Sequence, residues 1–250
     1  MNSLLALPAL ALVIIFWLEG VWPHYKDRRG RIRHAGPNIL IALGDGLITL
    51  GFLTQASKIN AYGILPRLQL SRWLGIIVAF VLLDLWMYFW HRANHRVPWL
   101  WLIHRAHHND VQMDSTTALR FHPLEIAISS LLNLGVIAFF GMEMDRLIVY
   151  SLVFQPAIFF HHSNVALPQA WDQRLRCLII TPDMHRVHHS IEPDETNSNY
   201  GSVFSFWDRM FATYGKRRET QTITLGLKTF RERKWQGVRG FLQVPFTPVP

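Results

Sequence analysis

Long apolar runs separated by short polar blocks dominate the first 160 residues of the chain. A helix needs about 20 mainly apolar residues to cross a hydrocarbon core that is about 30 Å thick. The runs predict five membrane helices, the last two forming a hairpin because only residues 141–146 separate them. Since no basic residue precedes the first run, we expect a retained helix and not a secretory signal. The runs lie at residues 4–22, 38–56, 73–90, 124–140 and 147–160.

The basic residues predict which side of the membrane each polar block occupies. Residues 24–33 follow the first helix and carry five basic residues against one acid. Such a block stays in the cytoplasm, so the third helix exits there at His91 and the hairpin returns there near His161. Residues 163–250 contain no long apolar run and predict a cytoplasmic cap. From about Lys216 we expect an irregular tail on the surface of the cap or the membrane.

The formal net charge of +8 does not indicate a nucleic-acid partner. Lys and Arg lie beside apolar spans in a chain that is 50% hydrophobic, so they act as topology signals and attract anionic lipid headgroups. Cys177 is the single cysteine, which excludes an internal disulfide framework and a multi-cysteine metal site. Any metal must therefore be bound by histidine or carboxylate.

Thirteen histidines are present, and most of them form three clusters with helical spacing. Residues three or four apart share one face of a helix, so each cluster directs two or three imidazoles to one point. Eight ligands exceed the four of a tetrahedral zinc site and suit two metal ions. Imidazole binds zinc, iron, copper and nickel alike, so residue type leaves the metal open. The clusters are His91 and His95; His104, His107 and His108; and His185, His188 and His189.

The third helix carries an acid in line with the first cluster. Asp84, Tyr88, His91 and His95 fall on a single stripe of this helix. An acid inside a membrane helix is expensive and is by default functional, and a carboxylate often accepts the free N–H of a ligating imidazole. We therefore expect Asp84 to orient a ligand histidine; the alternative is a polar residue that packs helices.

The remaining histidines divide into further candidates and solvated residues. His162 lies where the returning hairpin meets the cytoplasm and is a candidate ligand, with His161 as its neighbour. His122 starts the fourth helix and either supports a ligand or marks the helix entry. His24 and His34 belong to the basic block, and we expect both to be solvated.

At these residues the chain resembles the fatty acid hydroxylase and sterol desaturase superfamily of membrane non-haem iron enzymes. The matching pattern is His-x3-His from residue 91, His-x2-His-His from 104 and His-x2-His-His from 185. Two departures occur: Ala212 stands where the family often has glycine, and His161 with His162 forms a doublet where relatives often have one histidine. The likeness covers about residues 84–214, with these flanking pieces: Trp90-His91-Arg92, Asn94, Trp101, Thr117-x-x-Arg120-x-His122-Pro123-x-Glu125, His162-x-Asn164, Thr181-Pro182-Asp183-Met184-His185, Asn199-Tyr200-Gly201 and Phe206-Trp207-Asp208.

The resemblance implies a dimetal centre, normally of two iron ions, with zinc as a substitute on purification. The implied ligands are His91, His95, His104, His107, His108, His162, His185, His188 and His189. Around them we expect a supporting layer of polar residues: Asp84, Tyr88, His122, His161, Asn164 and Asp183.

The expected fold is all-α, a polytopic membrane helical bundle with a cytoplasmic histidine-rich metal-binding cap. We expect one domain over residues 1–250: membrane helices at 1–90, the first histidine segment at 91–123, the hairpin at 124–160, and the cap and tail at 161–250. A site below the third, fourth and fifth helices can receive a lipid chain sideways from the bilayer.

The implied function is the O2-dependent hydroxylation or desaturation of a membrane lipid. The expected partners are the lipid, O2 and a separate electron donor, either a b-type cytochrome, a ferredoxin or a reductase. The location would be the inner membrane of a bacterium or the endoplasmic reticulum of a eukaryote. The rival hypothesis is a zinc-binding membrane hydrolase or a non-redox membrane protein, for which Asp183, Glu125 and Asp110 are the candidate bases. Sterol, fatty acyl, sphingoid, alkylglycerol and carotenoid substrates stay open.

Overall fold

A computed structural model describes residues 6–26, 30–56 and 63–249. Within these ranges the chain is helical or irregular, and its extended pairings are isolated bridges. This confirms the all-α prediction. The helices are α1 (Leu7–Val21), α2 (Arg31–Ala56), α3 (Ile64–Arg67), α4 (Arg72–Arg96), α5 (Pro98–His108), α6 (Pro123–Phe140), α7 (Met144–His162), α8 (Gln169–Leu175), α9 (Pro182–His188), α10 (Pro193–Thr196), α11 (Phe206–Met210), α12 (Arg233–Gln236) and α13 (Val238–Gln243).

Helices occur at all five predicted membrane positions, but three of them, α2, α4 and α6, are long and apolar enough to cross a bilayer. α1 is apolar but has only 15 residues, and it packs against α7. The outer faces of α2 and α6 expose large apolar side chains, as a lipid-facing surface requires. Examples are Leu43 and Leu47 on α2 and Leu131 and Phe139 on α6.

Proline and capping residues set the turns that bring the histidine clusters together. Val97 is extended and precedes Pro98, the first residue of α5, because proline disfavours a helical residue before it and fits the first helical turn. The chain therefore reverses, and α5 packs back on α4. α9 begins in the same way at Pro182, where the Thr181 side chain accepts a hydrogen bond from the Met184 amide and caps the helix.

A buried polar network joins α1 and α2 to residues 109–120. Glu19 accepts hydrogen bonds from the Ser115 amide and from Arg31. His34 lies between two carboxylates, with Nδ1 2.7 Å from Asp114 and Nε2 2.9 Å from Asp110. The prediction that His34 is solvated is therefore wrong, because α2 begins within the basic block and turns this residue toward the cap. Asp27, Arg28 and Arg29 of that block lie outside the described residues.

His24, the other histidine expected to be solvated, is also covered. Its side chain is 8% exposed, and its Nδ1 lies 3.9 Å from Asp183. Its backbone amide donates to the Asn164 carbonyl, so the segment after α1 is fixed against the end of α7. The basic block therefore packs on the cap and does not project into solvent at this residue.

The tail also packs more closely than the sequence predicted. Phe241 and Val244 are completely buried. The buried Arg105 guanidinium donates to the carbonyls of Val244 and Thr247, and Arg120 donates to the carbonyl of Trp235. The short helices at the end of the chain thus supply carbonyl acceptors to two buried arginines, a role that leaves no periodic apolar signal in the sequence.

Candidate dimetal centre

The structure brings all nine candidate ligands together in two groups. Within each group, one ring nitrogen from every histidine lies within 4.8 Å of the others. Four helices and the residue after α9 supply them, from positions as far apart along the chain as 91 and 189. The first group is His91, His95, His104, His108 and His188, and the second is His107, His162, His185 and His189.

The Nδ1 atom of five of these histidines faces an acceptor outside the centre. A carbonyl oxygen can only accept, so each Nδ1 beside a carbonyl carries the proton, and the Nε2 lone pair is left for the centre. Such contacts fix the tautomer and ring orientation of metal-binding histidines. The pairs are His91 with Tyr200 O at 2.9 Å, His107 with Arg120 O at 3.1 Å, His162 with Ile158 O at 2.8 Å, His188 with Ser198 O at 2.7 Å, and His104 with the Glu125 carboxylate at 2.8 Å.

The second group places lone pairs against one another. Nε2 of His162 lies 3.1 Å from Nε2 of His107, and Nδ1 of both rings already carries the proton. In the neutral rings neither Nε2 can donate, so this approach is repulsive. A cation shared by the two nitrogens makes the same approach favourable. Nε2 of His185 lies 3.0 Å from Nε2 of His162 and completes the convergence.

Both groups contain buried nitrogens without partners. Both ring nitrogens of His95, His108 and His189 lack a hydrogen bond, as do Nε2 of His104 and Nε2 of His188. A buried polar atom without a partner costs about 1–3 kcal/mol, so a chain that buries this many needs something else to satisfy them. The donor set therefore fits two metal ions.

Burial also keeps the imidazoles in the form that binds metal. Desolvation, followed by repulsion from neighbouring histidines, lowers the pKa of His108, His185 and His189 well below the usual 6.5. The pKa of His107 and that of His188 are lowered in the same direction by burial. These rings are neutral at pH 7, as metal coordination requires.

Glu125 is the carboxylate that supports a candidate ligand. One oxygen faces Nδ1 of His104 at 2.8 Å and accepts from Asn94 at 3.3 Å. Sequence reasoning considered Glu125 only as a base for a hydrolase. Its position in the sequence does indicate a supporting role, because Glu125 lies in the first turn of a helix that directly follows a histidine segment.

Asp84 does not contact a histidine. Its carboxylate accepts from the amides of Val203 and Phe204 at 3.1 Å and from the Trp207 indole at 2.8 Å. The predicted orienting role is wrong because seven residues separate Asp84 from His91, about 10 Å along a helix. Asp84 instead anchors α4 to the cap, which agrees with the packing alternative.

The other predicted supporting residues mostly hold the cap together. Tyr88 bonds Thr213 through its hydroxyl at 2.8 Å. His122 caps α6 by accepting from the Leu124 amide, which confirms the helix-entry alternative. Asn164 bonds the backbone of Tyr25 in both directions.

Asp183 and His161 have different surroundings. Asp183 pairs with the buried Arg186 and does not contact a candidate ligand. His161 is 2% exposed and its ring centroid lies 4.0 Å from that of His185, but its nitrogens fall outside both groups. Ala212 has a φ of 55°, the left-handed conformation that glycine adopts without penalty, which agrees with the glycine that the family pattern led us to expect there.

A cavity of about 810 Å³ reaches the candidate ligands from between the long apolar helices. It runs between α2, α4, α6 and α7 and is lined mainly by apolar side chains, and six histidines also line it: His91, His104, His107, His161, His162 and His185. Its volume and lining suit an apolar molecule. A second cavity of about 220 Å³ reaches His95 and Trp101 beside Lys228.

Comparison with known proteins places this architecture in a family. The sequence model of the fatty acid hydroxylase family matches residues 76–213. An alkylglycerol monooxygenase of Caenorhabditis elegans is 32% identical over 161 residues, which cover 64% of this chain and 30% of that protein. The fatty acid hydroxylase vlmA of Lecanicillium sp is 26% identical over 201 residues, which cover 71% of this chain and 54% of that protein. The ornithine lipid hydroxylase OlsE of Rhizobium tropici is 24% identical over 152 residues, covering 61% and 45%.

The match therefore spans about a third to a half of the length of these relatives. No solved structure matches the chain significantly. The matched region contains all nine histidines of the two groups and the carboxylate that supports His104. On this evidence the chain belongs to the fatty acid hydroxylase family.

Proposed function

We propose that this chain is an O2-dependent enzyme that hydroxylates or desaturates a membrane lipid with two iron ions held by the nine histidines. The observation that carries the proposal is that histidines of both groups line one mainly apolar cavity. The named relatives, an alkylglycerol monooxygenase, a fatty acid hydroxylase and an ornithine lipid hydroxylase, support lipid oxidation as the reaction class.

The protein's own part is binding, orientation and exclusion of water. Iron bound at these imidazoles would supply O2 reduction and C–H oxidation, because iron changes its oxidation state readily. The carbonyls of Tyr200, Arg120 and Ser198 hold the protons of their histidines on Nδ1. The cavity holds an alkyl chain with one segment beside the histidines, and burial keeps bulk water away from that segment.

The zinc hydrolase alternative is disfavoured by the carboxylates. A hydrolase needs an open metal position and an available general base. Glu125 is engaged by His104, Asp110 by His34 and Asp183 by Arg186. Each candidate base is therefore already held in a pair.

We place the centre on the cytoplasmic side of the membrane. Arg31, from the basic block, is hydrogen-bonded to Glu19, and His34 is bonded within the cap, so this block and the histidines lie at the same end of the bundle. Electrons would come from a separate donor protein, either a b-type cytochrome, a ferredoxin or a reductase. The bilayer supplies the lipid, and O2 is the co-substrate.

The test is turnover of anaerobically purified, iron-loaded protein with a chemical reductant, membrane lipids and isotopically labelled O2. We expect lipid products that have gained labelled oxygen or lost two hydrogens, and O2 consumption that depends on lipid. Products formed without O2, or full activity in protein that contains stoichiometric zinc and no iron, would contradict the proposal.

A further inference from the structure

Asp45 is a buried carboxylate whose partner is missing. It lies on α2 within the Gly44-Asp45-Gly46 interruption of the second apolar run. The residue is 6% exposed, and both carboxylate oxygens are buried without a hydrogen bond. Asp45 lines the 810 Å³ cavity and lies outside the region that the family model matches. Nothing in the dimetal centre uses it.

The protein does not offer Asp45 a partner from the cavity wall. The neighbouring Thr49 hydroxyl donates to the backbone carbonyl of Asp45 at 2.9 Å and not to its carboxylate. Of the described residues that line the cavity, none is Lys or Arg. A carboxyl group in an apolar site is costly unless it is hydrogen-bonded. The partner must therefore come from the molecule that occupies the cavity.

Three polar residues of the neighbouring helix α6 that line the cavity each have at least one bonded polar atom. Glu125, Ser129 and Asn133 repeat every four residues along one face of α6 and line the cavity. Glu125 is bonded to His104, the Ser129 hydroxyl donates to the Ile126 carbonyl, and Asn133 accepts from the Trp86 indole at 2.6 Å. Single open atoms also occur in the cavity lining at Glu125 Oε2, Asn94 Oδ1 and Tyr150 Oη, but at Asp45 both carboxylate oxygens are open.

The position of Asp45 sets where the partner group lies. Asn38, seven residues earlier on α2, bonds Thr116 and Arg120 at the cap. Seven residues correspond to about 10 Å of helix, so Asp45 lies that far from the cap in the apolar part of the bundle. A hydroxyl can be carried to such a depth at moderate cost, whereas a charged ammonium pays a far larger desolvation penalty.

We propose that Asp45 accepts a hydrogen bond from a hydroxyl group of the lipid that occupies the cavity, so the substrate class is a hydroxyl-bearing lipid and not a plain hydrocarbon chain. That the occupant is the substrate rests on the proposed function above. Binding at Asp45 itself depends on the cavity and the open carboxylate alone.

The first test is equilibrium binding to iron-loaded protein in detergent, by competition against tritiated hexadecane. The probes are 1-hexadecanol, its methyl ether and hexadecylamine. We expect the alcohol to bind about 3- to 10-fold more tightly than the ether, because only the alcohol donates a hydrogen bond, which has a net contribution of about 1 kcal/mol. In Asp45→Leu the ratio should fall to about 1, and Asp45→Asn, which keeps one acceptor oxygen, should retain part of it.

The matched control is Thr49→Val, which removes a hydroxyl that is already bonded to a carbonyl one turn away. This variant should keep the wild-type ratio of the affinity for the alcohol to the affinity for the ether. An unchanged ratio in Asp45→Leu would overturn the proposal, as would the same loss of the ratio in Thr49→Val. Preferential binding of the amine over the alcohol would overturn the assignment to a hydroxyl.

The midpoint of thermal unfolding is a second measurement, and it separates a binding role of Asp45 from a structural one. Asp45→Leu removes an unpartnered carboxylate, so its midpoint should rise while discrimination is lost, a trade-off typical of binding sites. A lower midpoint would show that Asp45 stabilises the fold, against the proposal. If discrimination holds but O2-dependent turnover is absent, the proposed function fails and the Asp45 site stands; if turnover holds and discrimination does not, only the Asp45 inference fails.

Discussion

Two kinds of buried histidine occur in the protein, and the surroundings of their ring nitrogens are opposite. His34 has a carboxylate at each nitrogen, Asp114 at 2.7 Å and Asp110 at 2.9 Å. In the dimetal centre, His95 and His108 are surrounded by other imidazoles and both of their nitrogens lack partners. The comparison teaches that burial alone does not mark a ligand: the mark is a nitrogen that the protein leaves for a cation.

The electrostatic consequences of the two arrangements also differ. Although burial alone raises the pKa of Asp110, the charge of His34 and its hydrogen bond hold that pKa well below the usual range. The His34 cluster is therefore a self-contained ion network. The candidate dimetal centre has no comparable balance of opposite charges. Its nine histidines are accompanied by the Glu125 carboxylate, which contacts His104.

The largest expected effect is the loss of metal on removal of a histidine from either group. His107→Ala and His188→Ala should each reduce iron content strongly and bring activity to background, because each removes a nitrogen that faces the other ligands. Membrane insertion should be unchanged, since neither residue lies in one of the three apolar spans. Metal analysis of purified protein checks this, with His24→Ala as the control histidine outside both groups. Full metal content in both variants would show that the groups do not bind the ions.

The second-largest expected effect is a loss of stability when His34 is removed. His34→Ala leaves Asp110 and Asp114 without their cationic partner and should cost about 3–5 kcal/mol of stability, as the loss of one member of a buried ion pair does. The folded fraction should still bind two metal ions. Thermal unfolding in detergent and metal content per folded chain measure the two quantities separately. Normal stability combined with lost metal would reverse the roles assigned to the two sites.

Glu125→Gln tests the link between a carboxylate and the centre. It should weaken metal affinity about 10- to 100-fold, the usual cost of changing a residue that orients a ligand imidazole. Ser129→Ala, one turn along the same face of α6, is the matched control and should keep wild-type affinity. Competition with a metal-binding dye measures both constants. Equal affinities for Glu125→Gln and wild type would show that the His104 contact does not tune the centre.

The smallest effect is the pH dependence that one histidine contributes. The pKa of His189 in the folded, metal-free chain is well below 6.5 because of burial. Its neutral form therefore stabilises the fold fully above pH 6.5, and this contribution declines as the pH falls below that value. In metal-free protein, His189→Gln should reduce the acid-side loss of stability by at most about 1.4 kcal/mol per pH unit. Unfolding midpoints between pH 8 and 5 measure this pH dependence. If the midpoint of His189→Gln falls with pH as steeply as that of the wild type, the lowered pKa of His189 is contradicted.

The apolar runs and helical histidine spacing were sufficient to predict the helices and the convergence of the clusters. Helix ends at Val97, His122 and Thr181 follow from local proline and capping chemistry. Spacing alone, however, could not predict the partner of Asp84. A residue in line with the histidines still lies two turns from His91, and its acceptor role depends on a chain reversal more than 100 residues later, at Val203.

The same limit explains the errors at His34 and in the tail. Whether a histidine in a basic block is solvated depends on which residues fold over it, and Asp110 and Asp114 come from a segment 76 and 80 residues away. The tail's burial depends on Arg105 and Arg120 needing carbonyl acceptors. Long-range polar pairing of this kind has no period in the sequence.

The central claim is that nine imidazoles hold two redox-active ions beside a mainly apolar cavity. Iron analysis combined with iron-edge X-ray absorption on anaerobically reconstituted, active protein tests it most directly. The account predicts two irons per chain with nitrogen-rich coordination, and loss of this signal in His188→Ala. A single iron, or active protein whose iron spectrum is unchanged in that variant, would contradict it.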